Sequence, residues 1–216
     1  MELCLYNAVL TSMSANGKSF TYVNQLASSS HDLSKREEWF TCACCPPNVL
    51  RLFGQLGGYI WQLRRNAASG AAQELVVNLY ISGTFMLTEE GHEVRITQES
   101  DWPWISDINF SVEGSTGNLG LVLRIPGWAR SHTLKPECSE ARLDRGYLHL
   151  PASWVLQNPQ FTLSIPLKPR WITQQVNATT HGLLALARGP VIYCVEDVDN
   201  PWVEDHFKVC LSSPNT

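Results

Sequence analysis

Positive charge is sparse in this sequence: 16 Lys and Arg are scattered against 20 Asp and Glu, for a formal charge of −4. No basic stripe is available to neutralise a phosphate backbone, which excludes nucleic acid as a partner. Long apolar runs are missing too. No stretch approaches the roughly 20 residues that a bilayer span needs. The opening "MELCLYNAVLTSMSANG" lacks the basic and apolar regions of a secretion signal. Seven cysteines at irregular spacing, two of them adjacent, do not make a disulfide framework. No Cys/His pair stands at a familiar zinc-finger spacing. Unpaired cysteines without a signal predict a reducing, cytoplasmic location and no membrane association.

What is present is ordinary globular texture, 44% apolar and 17% charged over 216 residues, enough for one large or two modest domains. Eight tryptophans predict aromatic packing in the core and between layers. Residues 2–13 carry apolar side chains at a helical period, and Asn16-Gly17 in "SANGKSFTYVNQL" predicts a hairpin turn. A second helix is predicted from Pro46-Pro47, with Val49, Leu52, Phe53, Leu56, Tyr59, Ile60 and Leu63 recurring at three and four. After "RRNAASGAAQ", read as a linker, short β-rich runs follow between Gly, Pro, Asn and Asp, as in "ELVVNLYISGTFML", "LGLVLRIPGWA" and "FTLSIPL". They predict an antiparallel β-sandwich over 74 to about 196. The helices of the first 70 residues cannot enclose a core of their own, so the sandwich or further helical structure must cover them.

The concentrated chemistry is "TCACCPPNVLRLFG", with Cys42, Cys44 and Cys45 at the mouth of the second helix. A helix N-terminus favours thiolate over thiol, although Pro46 and Pro47 remove amide donors and weaken that effect. Zinc accepts adjacent thiolates but needs more ligands than two. The bland alternative is three small, inert, buried side chains. Other polar residues read as structural. Glu37-Glu38 and Glu89-Glu90 are solvated charge, and the six histidines are scattered singly. Trp102-Pro103-Trp104 is a packing corner rather than a sugar platform, and Arg124 and Arg188 tie strand ends to backbone or carboxylates.

The run "WFTCACCPPNVLRLFGQLGGYIW", with "ELCLYNAVLTSMSANGKSFTYVNQL" before it and "VNLYISGTF", "ITQESDWPW", "LVLRIPGWA" and "LALARGPVIYCVE" after it, resembles glycoside hydrolase family 127, the β-L-arabinofuranosidases. The resemblance implies an α+β chain: residues 1–70 as the C-terminal piece of an (α/α)6 catalytic barrel, and residues 71–216 as a β-sandwich domain, truncated at its end. It implies a retaining hydrolase that releases terminal L-arabinofuranose. Cys44 matches the catalytic nucleophile and a zinc ligand, and Cys45 matches a second zinc ligand. Glu2 and Tyr22 match sugar-contacting positions, and Cys42 is given only a supporting place. The family's acid/base glutamate and two further zinc ligands match no position in this chain. These 216 residues are therefore expected to bind zinc weakly and to be inactive alone, as a truncated product or a remnant. Whether the chain is itself an enzyme stays open. A non-catalytic sandwich module for binding or assembly, or a redox or metal-buffering protein, is the competing reading.

Overall fold

The computed structural model describes residues 1–23, 35–42, 44–64, 73–89, 91–173 and 184–195. Two five-stranded sheets face each other across one apolar core. The first runs β1 (Trp61–Arg64), β2 (Gln73–Val77), β6 (Leu119–Arg124), β9 (Tyr147–Leu150), β8 (Arg142–Asp144). The second runs β3 (Gly83–Glu89), β4 (His92–Glu99), β5 (Asp107–Glu113), β10 (Gln160–Ser164), β7 (Thr133–Lys135). Period-two alternation sets the facing surfaces of the second sheet. Val94 and Ile96, Ile108, Phe110 and Val112, and Phe161 and Leu163 point inward, with polar residues between them. In the first sheet Leu119 to Leu123 are buried without a break, as expected of a strand covered on both faces.

The sandwich is thus present, but it is not purely antiparallel. β2 and β6 pair in parallel, Gln73 opposite Leu119 and Val77 opposite Leu123. Such a pair requires a long crossover, which the intervening β3, β4 and β5 provide by lying in the other sheet. Nor does the sandwich run to 196. β11 (Pro169–Thr173), β12 (Leu184–Arg188) and β13 (Val191–Tyr193) form a separate three-stranded sheet. Trp61–Arg64, read from sequence as the tail of a helix, is extended and completes the first sheet beside β2. A short helix, Ala152–Gln157, was not anticipated; its Val155 is fully buried.

Where the chain passes from β2 to β3, Gln98 replaces missing ladder bonds. It is fully buried, and its amide donates to the carbonyls of Leu79 (3.1 Å) and Ile81 (2.8 Å). Gly114 closes β5 at φ +76°, where a Cβ would lie 2.2 Å from the Glu93 carbonyl oxygen. Gly114→Ala therefore combines a disfavoured backbone with a clash against main chain. It should cost about 3 kcal/mol in a urea unfolding curve; a loss below about 1 kcal/mol would refute that geometry.

The N-terminal helix is irregular. An α turn (Glu2–Cys4) passes into a π turn (Leu5–Val9) and a 3-10 turn (Leu10–Ser12). Asn7 donates to the Leu3 carbonyl at 2.8 Å, and the Leu10 amide reaches back five residues to Leu5. The anticipated hairpin is reduced to a tight turn at Asn16-Gly17 with single bridges, Met13 to Phe20 and Phe20 to Glu37. The second helix occupies Cys45–Gly54 and resumes over Leu56–Ile60. Leu52 and Leu56 pack on the core, whereas Leu50, Phe53 and Tyr59 are exposed. Among the described residues no helix is long and apolar enough to cross a membrane.

Candidate active site

Cys44 caps the helix that starts at Cys45, its own backbone already near-helical (φ −75°, ψ −24°). Its carbonyl accepts from the Asn48 side chain at 3.2 Å. Its sulfur lies 3.3 Å from the Tyr22 hydroxyl and 3.8 Å from the Cys45 sulfur. Tyr22 is held by Phe40, whose ring centroid is 5.4 Å away, and Phe40 packs in turn on Phe20 at 5.1 Å. Phe40, just ahead of the cysteine run, and Phe20 behind it therefore set the tyrosine over the thiol.

These contacts bias one sulfur towards ionisation. The Tyr22 hydroxyl, then Cys45 and Cys42, hold the Cys44 thiol below its ordinary range. Cys45 is pushed up, chiefly by its hydrogen bond with Cys44, since two adjacent sulfurs resist charging together. Tyr22 moves up as the donor to that sulfur. Removing the donor by Tyr22→Phe should shift the pH midpoint of Cys44 alkylation upward, because a thiolate that loses its hydrogen bond needs a higher pH to form. Peptide-resolved iodoacetamide kinetics checks this; an unmoved or lowered midpoint would remove Tyr22 from the site.

The sulfur spacing also bears on a metal. At 3.8 Å the pair is not a disulfide, whose S–S bond is about 2.0 Å. Two thiolates at about 2.3 Å from a tetrahedral zinc stand about 3.8 Å apart. The pair thus fits half of a zinc shell. Among the described residues no group of three or more His, Cys, Asp or Glu is placed to hold a metal ion.

Of the residues singled out from sequence, the structure joins Tyr22, Cys44 and Cys45, and places Cys42 close enough to act on Cys44. The thiols at 42 and 44 are exposed and Cys45 is half-buried, so the picture of three buried, inert side chains does not hold. Glu2 is held by residues of the sandwich. It is buried, and one carboxylate oxygen accepts from the Trp102 indole at 3.3 Å while the other accepts from Trp128 at 3.2 Å. Arg124 makes an ion pair with it at 2.9 Å. That guanidinium nitrogen donates no aligned hydrogen bond, so the contact is electrostatic. Arg124 is further tied to the Asn78 carbonyl, and Tyr80 donates its hydroxyl to the Arg124 carbonyl. The expected roles of Arg124 and of the Trp102 corner are thereby met, and Arg188 likewise donates to the Trp104 carbonyl at 3.1 Å.

Trp128 and Asn7 escaped the sequence reading. Trp128 stacks on Trp102 at 5.7 Å and carries the Arg170 guanidinium 5.4 Å from its ring centroid. The Asn7 side chain donates to the Pro190 carbonyl and accepts from the Ile192 amide, each at 2.8 Å. Only the presence of Trp128 beside Arg124 in "LRIPGWA" offered a signal. Of the histidines, His149 lies 3.8 Å from buried Glu74, which also meets Arg64 at 3.5 Å. His31, His181 and His206 lie outside the described residues.

Three sequence families match in succession: residues 1–58 match the β-L-arabinofuranosidase GH127 catalytic domain, residues 74–167 its middle domain, and residues 170–215 the glycoside hydrolase family 127 C-terminal domain. A non-reducing end β-L-arabinofuranosidase of Bifidobacterium longum subsp. longum is 30% identical over 222 residues, covering 93% of this chain and 32% of that protein. A solved GH127 β-L-arabinofuranosidase from Geobacillus stearothermophilus T6 is 31% identical with a TM-score of 0.73, covering 93% of this chain and 33% of that one. A solved GH127 β-arabinofuranosidase is 26% identical with a TM-score of 0.72, over 92% of this chain and 33% of that one. The chain spans about a third of the length of these relatives.

Proposed function

The chain belongs to glycoside hydrolase family 127, and on that premise we propose that it carries the nucleophile half of a retaining β-L-arabinofuranosidase acting on terminal L-arabinofuranose. The carrying observation is the Cys44 sulfur, exposed, hydrogen-bonded by Tyr22 and biased to thiolate. In this reading residues 1–60 contribute helices to a larger helical barrel, for which the exposed Leu50, Phe53 and Tyr59 provide apolar contact. The free cysteines suit a reducing, cytoplasmic setting.

The Cys44 thiolate attacks the anomeric carbon, forming a C–S bond as the bond to the leaving oxygen breaks. A carboxylic acid supplied from outside these residues gives that oxygen its proton. Water, deprotonated by the same group, then attacks the anomeric carbon from the opposite side, and the C–S bond breaks to return the thiolate. Two inversions give retention. Cys44 and Cys45 would hold zinc, which keeps the sulfur deprotonated at neutral pH and lowers its basicity. Tyr22, beside the sulfur, would orient the sugar and steady the thiolate before it attacks and as it is released.

The test is release of p-nitrophenol from p-nitrophenyl β-L-arabinofuranoside in the presence of zinc. The 216 residues alone should show no turnover, and a polypeptide that also supplies the preceding part of the catalytic domain should show it. Inactivity of the longer polypeptide would defeat the glycosidase reading and favour a sandwich module that binds or assembles.

A further inference from the structure

The supports of the thiol site lead to the sandwich. Tyr22 follows Thr21, whose amide donates to the Ser12 carbonyl at 2.8 Å, at the end of the N-terminal helical stretch. The start of that stretch is Glu2, and its carboxylate is gripped by Trp102, Trp128 and Arg124, all from loops or strand ends of the sandwich. Five residues on, Asn7 fixes the same stretch to the third sheet at Pro190 and Ile192. Two anchors that far apart on one short helical element define both its position along its axis and its rotation.

A buried carboxylate is costly unless its charge and lone pairs are answered. Here the answers come from residues 100 and 126 positions away in the chain, plus Arg124. The Trp128 ring is flanked by Trp102 and Arg170, so both indoles are themselves held. Tyr80 and the Asn78 carbonyl hold Arg124 in the same way. From this chain of contacts we infer that Trp102, Trp128 and Arg124 are positioning residues for the thiol site, acting through Glu2: the sandwich sets the register of the helical stretch that delivers Tyr22 to Cys44. The inference deepens the reading of Cys44 as nucleophile but fails separately from it, since the measurements below need no turnover.

Glu2→Gln keeps the shape and places an amide donor against the indole and guanidinium donors. Trp128→Phe keeps a ring in the stack and removes one N–H; it reads the same coupling if the first variant folds poorly. In the 216-residue chain, hydrogen exchange of peptides covering 13–23 and 44–54 should quicken by about threefold or more, while strands β4 and β5 stay protected. The rate of Cys44 alkylation at neutral pH should change in the same direction as in Tyr22→Phe, by at least half as much. Faster exchange confined to residues 1–12, with Cys44 labelling unchanged in both variants, would reduce Glu2 to a local structural anchor and overturn the inference.

Discussion

Cys44→Ser should lower kcat/KM for an aryl β-L-arabinofuranoside by roughly 10⁴-fold or more in the longer, metal-replete polypeptide, a loss of the size seen when a nucleophile is deleted. A serine hydroxyl at the same place is essentially un-ionised at neutral pH, and no base in the described site is positioned to activate it. The Tyr22 hydroxyl that steadies a thiolate would face a neutral oxygen instead. Because Cys44 is exposed, the substitution should leave the unfolding free energy of the metal-free 216-residue chain in urea within about 0.5 kcal/mol of the parent. That separates lost chemistry from lost fold. Cys45→Ser should be damaging through metal affinity, so excess zinc should partly restore it and should not restore Cys44→Ser. Retention of more than about a tenth of parental activity in Cys44→Ser would exclude this sulfur as the attacking atom.

The second large effect concerns stability. Arg124→Ala removes the cation that faces the buried Glu2, together with the tie to the Asn78 carbonyl. The Glu2 side chain is 6% exposed and Arg124 20%, so water cannot replace the guanidinium without opening the junction. Breaking such a pair from one side costs about 3–5 kcal/mol, and the partial exposure of Arg124 argues for the lower end. At about 2–4 °C per kcal/mol for a chain of this size, Tm should fall by about 6–12 °C. Arg95, by contrast, meets Glu93 at 3.2 Å on the surface, the two side chains 49% and 63% exposed. Arg95→Ala should therefore change stability by no more than about 0.5 kcal/mol. Similar losses for the two arginines would mean that the Glu2 junction is open to solvent and its charge already hydrated.

Local pattern revealed most of the strands, because alternating burial writes itself into sequence: Val94-x-Ile96 and Phe161-x-Leu163 need no tertiary context. It failed where topology overrides local preference. Trp61–Arg64 continues a helical period and yet is extended, because an open edge beside β2 takes its backbone bonds. The parallel pairing of β2 with β6 was invisible, since the strands between them leave for the other sheet and no residue type records that departure. The cysteine run was conspicuous in the sequence, but which sulfur ionises first depends on Tyr22 crossing 22 positions to reach it.

The linear order of residues by itself determined the family, the sandwich strands and the cluster of thiols, since each is a matter of residue type at short spacing. Only the tertiary structure decided that Glu2 is locked to two indoles and a guanidinium from the sandwich. A lone acidic side chain carries no mark of its distant partners, and burial becomes bearable only where the fold brings them together.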